Sequence, residues 1–389
     1  MISGVVERQG TANLPAGGTK AKRYTGEVVY IYAFDLAYDM SGMPVGQLLG
    51  QPLAQFTIDT GKRTPKHLAF YRPQMVRLPP HEQVGPHGLV RVERVIKLLP
   101  IGAISITVRV PFAVAHVEDL VAYHDLQLGA KSLHDEVREL AEEVRQELMP
   151  CFVRPVPQLS EEEAYTVFCI EAPVTNRELA WMKAETWLQS HRRQVAALLT
   201  QETDLNRLSE QEAEESTGRS LSYYEDDLVV VDWDAALVID EKGHFEETLH
   251  IMELANLQLA EFEAYDRILD AALDRSYRDL RVNPWRSRWD VLNDLREIRI
   301  DLARMSDELS NITKFFGDWH LARIYQSISA RFHLADWHRT IDEKLQTLDN
   351  FYQLFKHDQT NRWMLILETT IVLLFIIDLL VLFMGLQKP

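Results

Sequence analysis

Along the chain, apolar and polar positions follow two rhythms, and each predicts a different kind of element. Between Tyr24 and Pro111 the rhythm is that of strands. GEVVYIYAF gathers β-branched and aromatic residues into one run, and HLAFY and MVRL follow between turn-formers. LVRVERVIKLLPIGAISITVRVPF splits at Pro100 and Gly102 into two runs that predict a hairpin or a pair of adjacent strands. From Val117 to Leu148 the period lengthens: Leu133, Val137, Leu140 and Val144 recur at helical spacing. EAYTVFCIEAP predicts another strand, ended by Pro173. Asn176 to Leu199 predicts a second helix carrying Leu179, Met182, Trp187 and Val195. Residues 203–220 are polar and predict a flexible loop, after which DDLVVVDWDAALVID returns to a strand pattern.

After Asp240 the texture changes. Phe245 to Asn283 predicts a helix rich in Ala, Leu and Glu, broken at Asn283-Pro284. Then Leu292, Leu295, Leu302, Met305, Leu309, Ile312 and Phe316 recur at threes and fours with one longer gap. Gly317-Asp318 predicts a turn, and Ile341, Leu345, Leu348, Tyr352 and Phe355 resume the spacing. Such heptads predict antiparallel helices packed as a coiled coil, with Leu309, Ile312, Ile341, Leu345, Leu348, Tyr352 and Phe355 forming the helical seam. An ordinary helical bundle would give the same spacing.

The last rhythm is no rhythm at all. From Trp363 to Leu386 only Glu368 and Asp378 are charged, and Ile371 to Ile377 is apolar on every face. A bilayer crossing takes roughly 20 predominantly apolar residues, so this stretch predicts a single transmembrane helix. Lys356 and Arg362 precede it and only Lys388 follows, which predicts a cytoplasmic bulk. An acid near mid-bilayer costs about 2.5–3.5 kcal/mol on insertion scales, so Asp378 is expected to face a second copy of the chain. Glu368, nearer the interface, reaches water. Both are candidate residues for assembly in the membrane.

The expected fold is therefore α+β. Residues 1–23 form a disordered tail, with a mitochondrial presequence as the alternative. Residues 24–240 form a mixed cytoplasmic α/β head, 245–360 a long antiparallel helical arm, and 363–386 the transmembrane helix.

Composition narrows the function. A net charge of −17 disfavours non-specific nucleic-acid binding, which needs clustered Lys and Arg. Two cysteines, Cys151 and Cys169, make neither a disulfide framework nor a Cys-x-x-Cys site, which points to a reducing compartment.

Three constellations could carry chemistry. Glu247 and His250 form one E-x-x-H pair where di-iron bundles need two, so they are expected on a solvated face. Asp232 and Asp234, two apart on the expected strand, point to one side but have no partner nearby. His320, His333 and His338 lack the spacing that lets one helix face chelate a metal. No catalytic residue, metal or cofactor is expected, and the chain reads as a non-enzyme.

One resemblance adds to this. DELSNITKFFGDWHLARIYQSISARFHLADWHRTIDEKLQTLDNFYQLF, followed by LETTIVLLFIID, resembles the C-terminal part of the Rmd1/Sif2 (DUF155) family over roughly residues 290–380. Members end in a helical segment and a span that opens with Leu-Glu and carries a second acid about ten residues on. Leu367-Glu368 and Asp378 fall at that spacing, with Asp378 in place of the more usual Glu and Thr369 where many members have Trp. The resemblance implies a non-catalytic inner-membrane protein; mitochondrial members are linked to translation and to tethering ribosomes. The acidic composition points to a bacterial relative at a cell inner membrane, with the mitochondrial inner membrane as the alternative. Expected partners are a second copy, the lipid bilayer, and an unknown protein or ribosomal partner. The competing readings are a CorA-like divalent-cation transport protein, whose two spans and Gly-Met-Asn loop this chain does not match, and a membrane-tethered hydrolase using Asp232 and Asp234.

Overall fold

The computed structural model of the protein describes residues 24–40, 46–55, 73–86, 88–99, 102–129, 131–156, 158–159, 162–175, 180–282, 300 and 319–385. Its strands are β1 (Tyr24–Asp35), β2 (Ala37–Met40), β3 (Gln47–Leu48), β4 (Gln51–Pro52), β5 (Ala54–Gln55), β6 (Gln74–Gly85), β7 (Gly88–Leu98) and β8 (Ala103–Val114). After them come β9 (Gln127–Leu128), β10 (Lys131–Ser132), β11 (Phe152–Pro155), β12 (Glu163–Glu171), β13 (Ser220–Leu221), β14 (Leu228–Val231) and β15 (Ala235–Asp240). The helices are α1 (Leu133–Leu148), α2 (Ala184–Ser190), α3 (Arg192–Leu199), α4 (Glu210–Thr217), α5 (Phe245–Val282), α6 (Trp319–Arg331) and α7 (Leu334–Gly385).

Nine strands form one sheet in the order β13-β14-β15-β12-β1-β8-β7-β6-β5, antiparallel except where β12 runs parallel to β15. The β1 run is apolar at nearly every position because both of its faces are covered. Val28, Tyr30, Tyr32 and Phe34 turn to a core shared with α1, α2 and α3. Val29 and Ile31 turn to a second core built with α5, α6 and α7. The molecule is thus a helix–sheet–helix sandwich with β1 at its middle. The anticipated pair of runs around Pro100 is the β7–β8 hairpin, with Lys97 opposite Ser105. Gly102, at φ 88°, forms the turn, and its carbonyl accepts from the backbone N–H groups of both Leu36 and Ala37.

The α+β class and, among the described residues, one apolar C-terminal helix stand as read from the sequence, but several local expectations are corrected. The stretch from Val117 begins as a 3-10 helix (Val117–Tyr123) and passes through β9 and β10 before α1 starts. Ser132 caps α1 by accepting from the Asp135 N–H, and the anticipated Leu133, Val137, Leu140 and Val144 are all buried. The second helix starts at Ala184 rather than Asn176 and is interrupted at His191; Met182 precedes it, and Leu179 lies outside the described residues. The expected loop at 203–220 contains α4, capped by Ser209, which accepts from Glu212 N–H. DDLVVVDWDAALVID is two strands, β14 and β15, joined by a turn at Asp232–Asp234.

The tail at 1–23, Leu309, Ile312 and the Gly317-Asp318 turn lie outside the described residues. Ile341, Leu345 and Leu348 are buried, and they join the core that α5 makes with the sheet. That core crosses the boundary after Asp240. Tyr352 and Phe355 lie on the same continuous helix. Three contacts fix the direction of α7 beside α5: Phe262 with His338, Asp266 and Asp270 with Lys344 (2.6 Å each), and Tyr277 with Phe351. Both numberings rise together, so the two helices run parallel.

Replacing Leu348 with Asp should lower stability by about 3–5 kcal/mol, since it opens a cavity and buries an unpaired charge. A thermal unfolding midpoint equal to that of the parent would rule out this packing.

Candidate functional site

The second core turns polar where α5 crosses β8 and β7. Strand β8 alternates apolar residues toward α1 with Ser105, Thr107 and Arg109 toward α5. Its neighbour β7 adds Lys97 on the same side, directly across from Ser105, and β6 adds Met75 across from Lys97. From α5 come Glu246, Leu249, His250 and Glu253, which share one helix face by their spacing. Together with Val29, Ile31, Arg77 and Val95 these residues, Ser105 excepted, line a cleft open to solvent.

Glu253 is the hub. Its Oε2 is paired with the Lys97 ammonium, and its Oε1 accepts from Ser105 Oγ at 2.6 Å and from Thr107 Oγ1 at 3.4 Å. His250 Nδ1 stands 3.6 Å from Oε2. Burial alone would push the Glu253 carboxyl up, but the Lys97 charge, followed by the His250 contact, outweighs it and holds the group well below the usual carboxylate range. Burial lowers the His250 pKa, and Glu253 offsets only part of that. At neutral pH the hub is therefore an ammonium–carboxylate pair beside a neutral imidazole.

The rim is a second ionic group. Arg109 binds Glu246 through both terminal nitrogens (2.6 and 2.9 Å) and reaches Glu27 at 3.4 Å. Burial raises the Glu27 pKa and Arg109 draws it back. Beneath them Cys169 is fully buried, and burial pushes its thiol far up, so it is inert packing rather than a nucleophile. Arg77 is exposed, and among the described residues no ion pair or hydrogen bond engages it.

Farther along α5, toward its C-terminus, acids gather where β1 ends and β12 begins. Burial, then a hydrogen bond to Glu263, raises Glu163 to about 8, and burial raises Asp35 to about 7 despite Arg267. Among the described residues no group of three or more His, Cys, Asp or Glu is arranged to hold a metal ion.

The structure rearranges the sequence candidates. His250 is buried, not on a solvated face, and its acidic neighbour is Glu253 rather than Glu247. Asp232 and Asp234 sit in the β14–β15 turn, not on a strand. Asp232 is buried, its carboxylate 3.6 Å from Arg331 of α6, and its carbonyl accepts from Tyr165 Oη at 3.0 Å. That pairing ties α6 to the sheet. His333, at φ 51°, breaks the chain between α6 and α7, while His320 stacks edge-on against Tyr223 and His338 against Phe262. Glu368 and Asp378 both lie on α7, about 15 Å apart along its axis.

Lys97, Ser105, Thr107 and Glu253 escaped the sequence reading. Their signal was present: a lysine inside VIKLL, polar alternate positions in ISITVRV, and an acid within an apolar helix face.

Residues 25–246 match the family described as "Uncharacterized protein MJ0711, N-terminal domain". The chain belongs to that family. The uncharacterized protein MJ0711 of Methanocaldococcus jannaschii is 22% identical over 227 residues, covering 56% of this chain and 65% of that protein. This chain therefore spans somewhat less than two thirds of its relative. No solved structure matches it. The family's span takes in the whole nine-stranded sheet and stops in the first turn of α5. It includes Arg77, Lys97, Thr107, Arg109 and Glu246, while His250 and Glu253 lie just past its end.

Glu253→Gln should destabilise the protein by about 3–5 kcal/mol at pH 7, because Lys97 is left buried without its counter-charge. The double change Lys97→Met with Glu253→Leu should recover most of the loss. Since the folded pKa of Glu253 is depressed, its stabilisation is present above the ordinary carboxylate pKa of about 4.3 and fades as pH falls below it. Denaturant melts should show a constant parent–variant gap from pH 5 to 8 that narrows below pH 4. A gap unchanged at pH 3 would mean that the carboxylate charge is not what matters.

Proposed function

We propose that the chain is a membrane-anchored, non-catalytic interaction protein of the Rmd1/Sif2 (DUF155) type. Its head is held at a fixed height above a membrane and recruits a protein or ribosomal partner. The observation that carries this reading is the continuity of α7. It begins packed against α5 and the sheet and runs without a break into Trp363–Phe383, a 21-residue segment of mean hydropathy 2.6 with none of its surface buried. A segment this apolar, bare on all sides, has bilayer as its natural solvent. From His338, level with the sheet edge, to Trp363 is roughly 37 Å of helix.

The positive flank at Lys356 and Arg362 favours a head on the cytoplasmic side, and the resemblance with the acidic composition favours a bacterial inner membrane. The resemblance over the C-terminal part supports the link to translation. An acidic chain fits a protein partner better than bare nucleic acid. Asp378, exposed in the middle of the span, supports assembly with a second copy through the membrane.

Deleting residues 363–389 should move the protein from an alkaline-washed membrane pellet to the soluble fraction. A truncated chain that still sediments would sink the anchoring reading.

For assembly, Asp378→Leu should insert as well as the parent yet cross-link less in native membranes, while Asp378→Asn should retain most of the oligomer. An interhelical polar contact is worth only about 0.6–2 kcal/mol in membranes, so the loss should be partial. Equal cross-linking in all three would leave Asp378 without a part in assembly.

A further inference from the structure

The cleft between α5 and strands β6 to β8 has an uneven supply of hydrogen-bonding groups. Its two carboxylates are spoken for. Glu253 accepts from Lys97, Ser105 and Thr107 and faces His250, which fills the roughly four lone-pair sites a carboxylate offers. Glu246 is held on both oxygens by Arg109. What remains is donor capacity. A guanidinium carries five N–H donors; Glu246 and Glu27 engage only part of Arg109's, and none of Arg77's is engaged among the described residues.

Charge points the same way. The lining holds Arg77, Lys97 and Arg109 with Glu246 and Glu253, Glu27 pairs with Arg109 from beside it, and burial keeps His250 neutral, so Arg77 is the cation that no acid offsets among the described residues. The walls are otherwise apolar: Val29, Ile31, Met75, Val95 and Leu249. Seven of the twelve lining residues are polar or charged, so the cleft is a polar one backed by five apolar side chains. Those polar groups sit on paired strands and on the N-terminal part of a long helix.

We propose that this cleft binds the oxyanion group of a small molecule, a carboxylate or a phosphate, with Arg77 as its main contact. Arg77 closes on the anion from the solvent side, where a guanidinium matches either oxyanion with two parallel hydrogen bonds. Lys97 and Arg109 are fixed and offset by their acids, so the attraction comes from Arg77. Nine of the twelve lining residues, Arg77 among them, lie within the family's span, and Leu249, His250 and Glu253 lie past its end. It does not depend on the membrane reading: the head would bind its ligand whether or not α7 crosses a bilayer.

The test uses the full chain in mild detergent, titrated by calorimetry with inorganic phosphate and, separately, with acetate, at matched ionic strength in chloride. Saturable binding of one of the two is expected, and which one binds names the oxyanion. Arg77→Ala, an exposed change that spares the fold, should weaken binding at least tenfold, and Arg77→Lys should recover part of it. Arg91→Ala, on the same strand ladder but paired with Glu93 outside the cleft, should bind like the parent. If neither anion binds saturably, or if Arg77→Ala binds as tightly as the parent, the cleft is not an oxyanion site.

Discussion

Everything in this molecule rests on how α5 lies along β1. The helix follows the strand in its own direction, and Leu249, Met252, Ala255 and Leu259 cover Val29, Ile31 and the apolar side of β12. Its first half closes one face of the sheet. Its second half leaves the sheet and offers a surface on which Ile341, Leu345 and Leu348 of α7 can bury. Burial of that kind is worth about 25 cal/mol per Å² of apolar surface removed from water, which is ample to seat a helix but gives it no register. Register comes from the ionic contacts: Glu253 with Lys97 sets α5 on the sheet, and Lys344 with Asp266 and Asp270 sets α7 on α5.

The Glu253 hub also shows why a buried ion pair is weak evidence of stability yet strong evidence of specification. An apolar helix face over β7 and β8 would pack as well. A carboxylate that must find one ammonium and two hydroxyls has only one place to sit. The same constraint leaves a cleft beside the pair, because α5 is held against β1 and β8 and does not extend over β6. Structural order and the candidate ligand site are two results of one placement.

Much of this was legible in the sequence, and the failures are instructive. Strand runs on both sides of Pro100, the α1 stripe from Leu133 to Val144 and the oily end at Trp363 each carry a local pattern strong enough to stand alone. The α4 helix was missed because its burial is slight: Ala213 is its main apolar anchor, and only the Ser209–Glu212 capping pair marked its start. Asp232 and Asp234 looked like one strand's acids because VVVDWDAALV gives no Gly or Pro at the turn. The partner of Ile341, Leu345 and Leu348 was not legible at all. Heptad spacing says that a face is buried, not against what, and α5 lies some 70 residues upstream in the chain. The cleft was hidden for the same reason, since its residues come from four strands and a helix that only the fold brings together.

The central claim is that α5 and α7 run parallel from the sheet, so that one continuous helix leads from the α5 contact into the apolar segment. Cysteine pairs and a short bis-maleimide test it directly in the full chain, in a background with Cys151 replaced by Ser. The account predicts an efficient link within one chain between Tyr277→Cys and Phe351→Cys, and almost none between Tyr277→Cys and Asp336→Cys. An antiparallel pair would place residue 277 beside 336, so the opposite pattern would contradict the account.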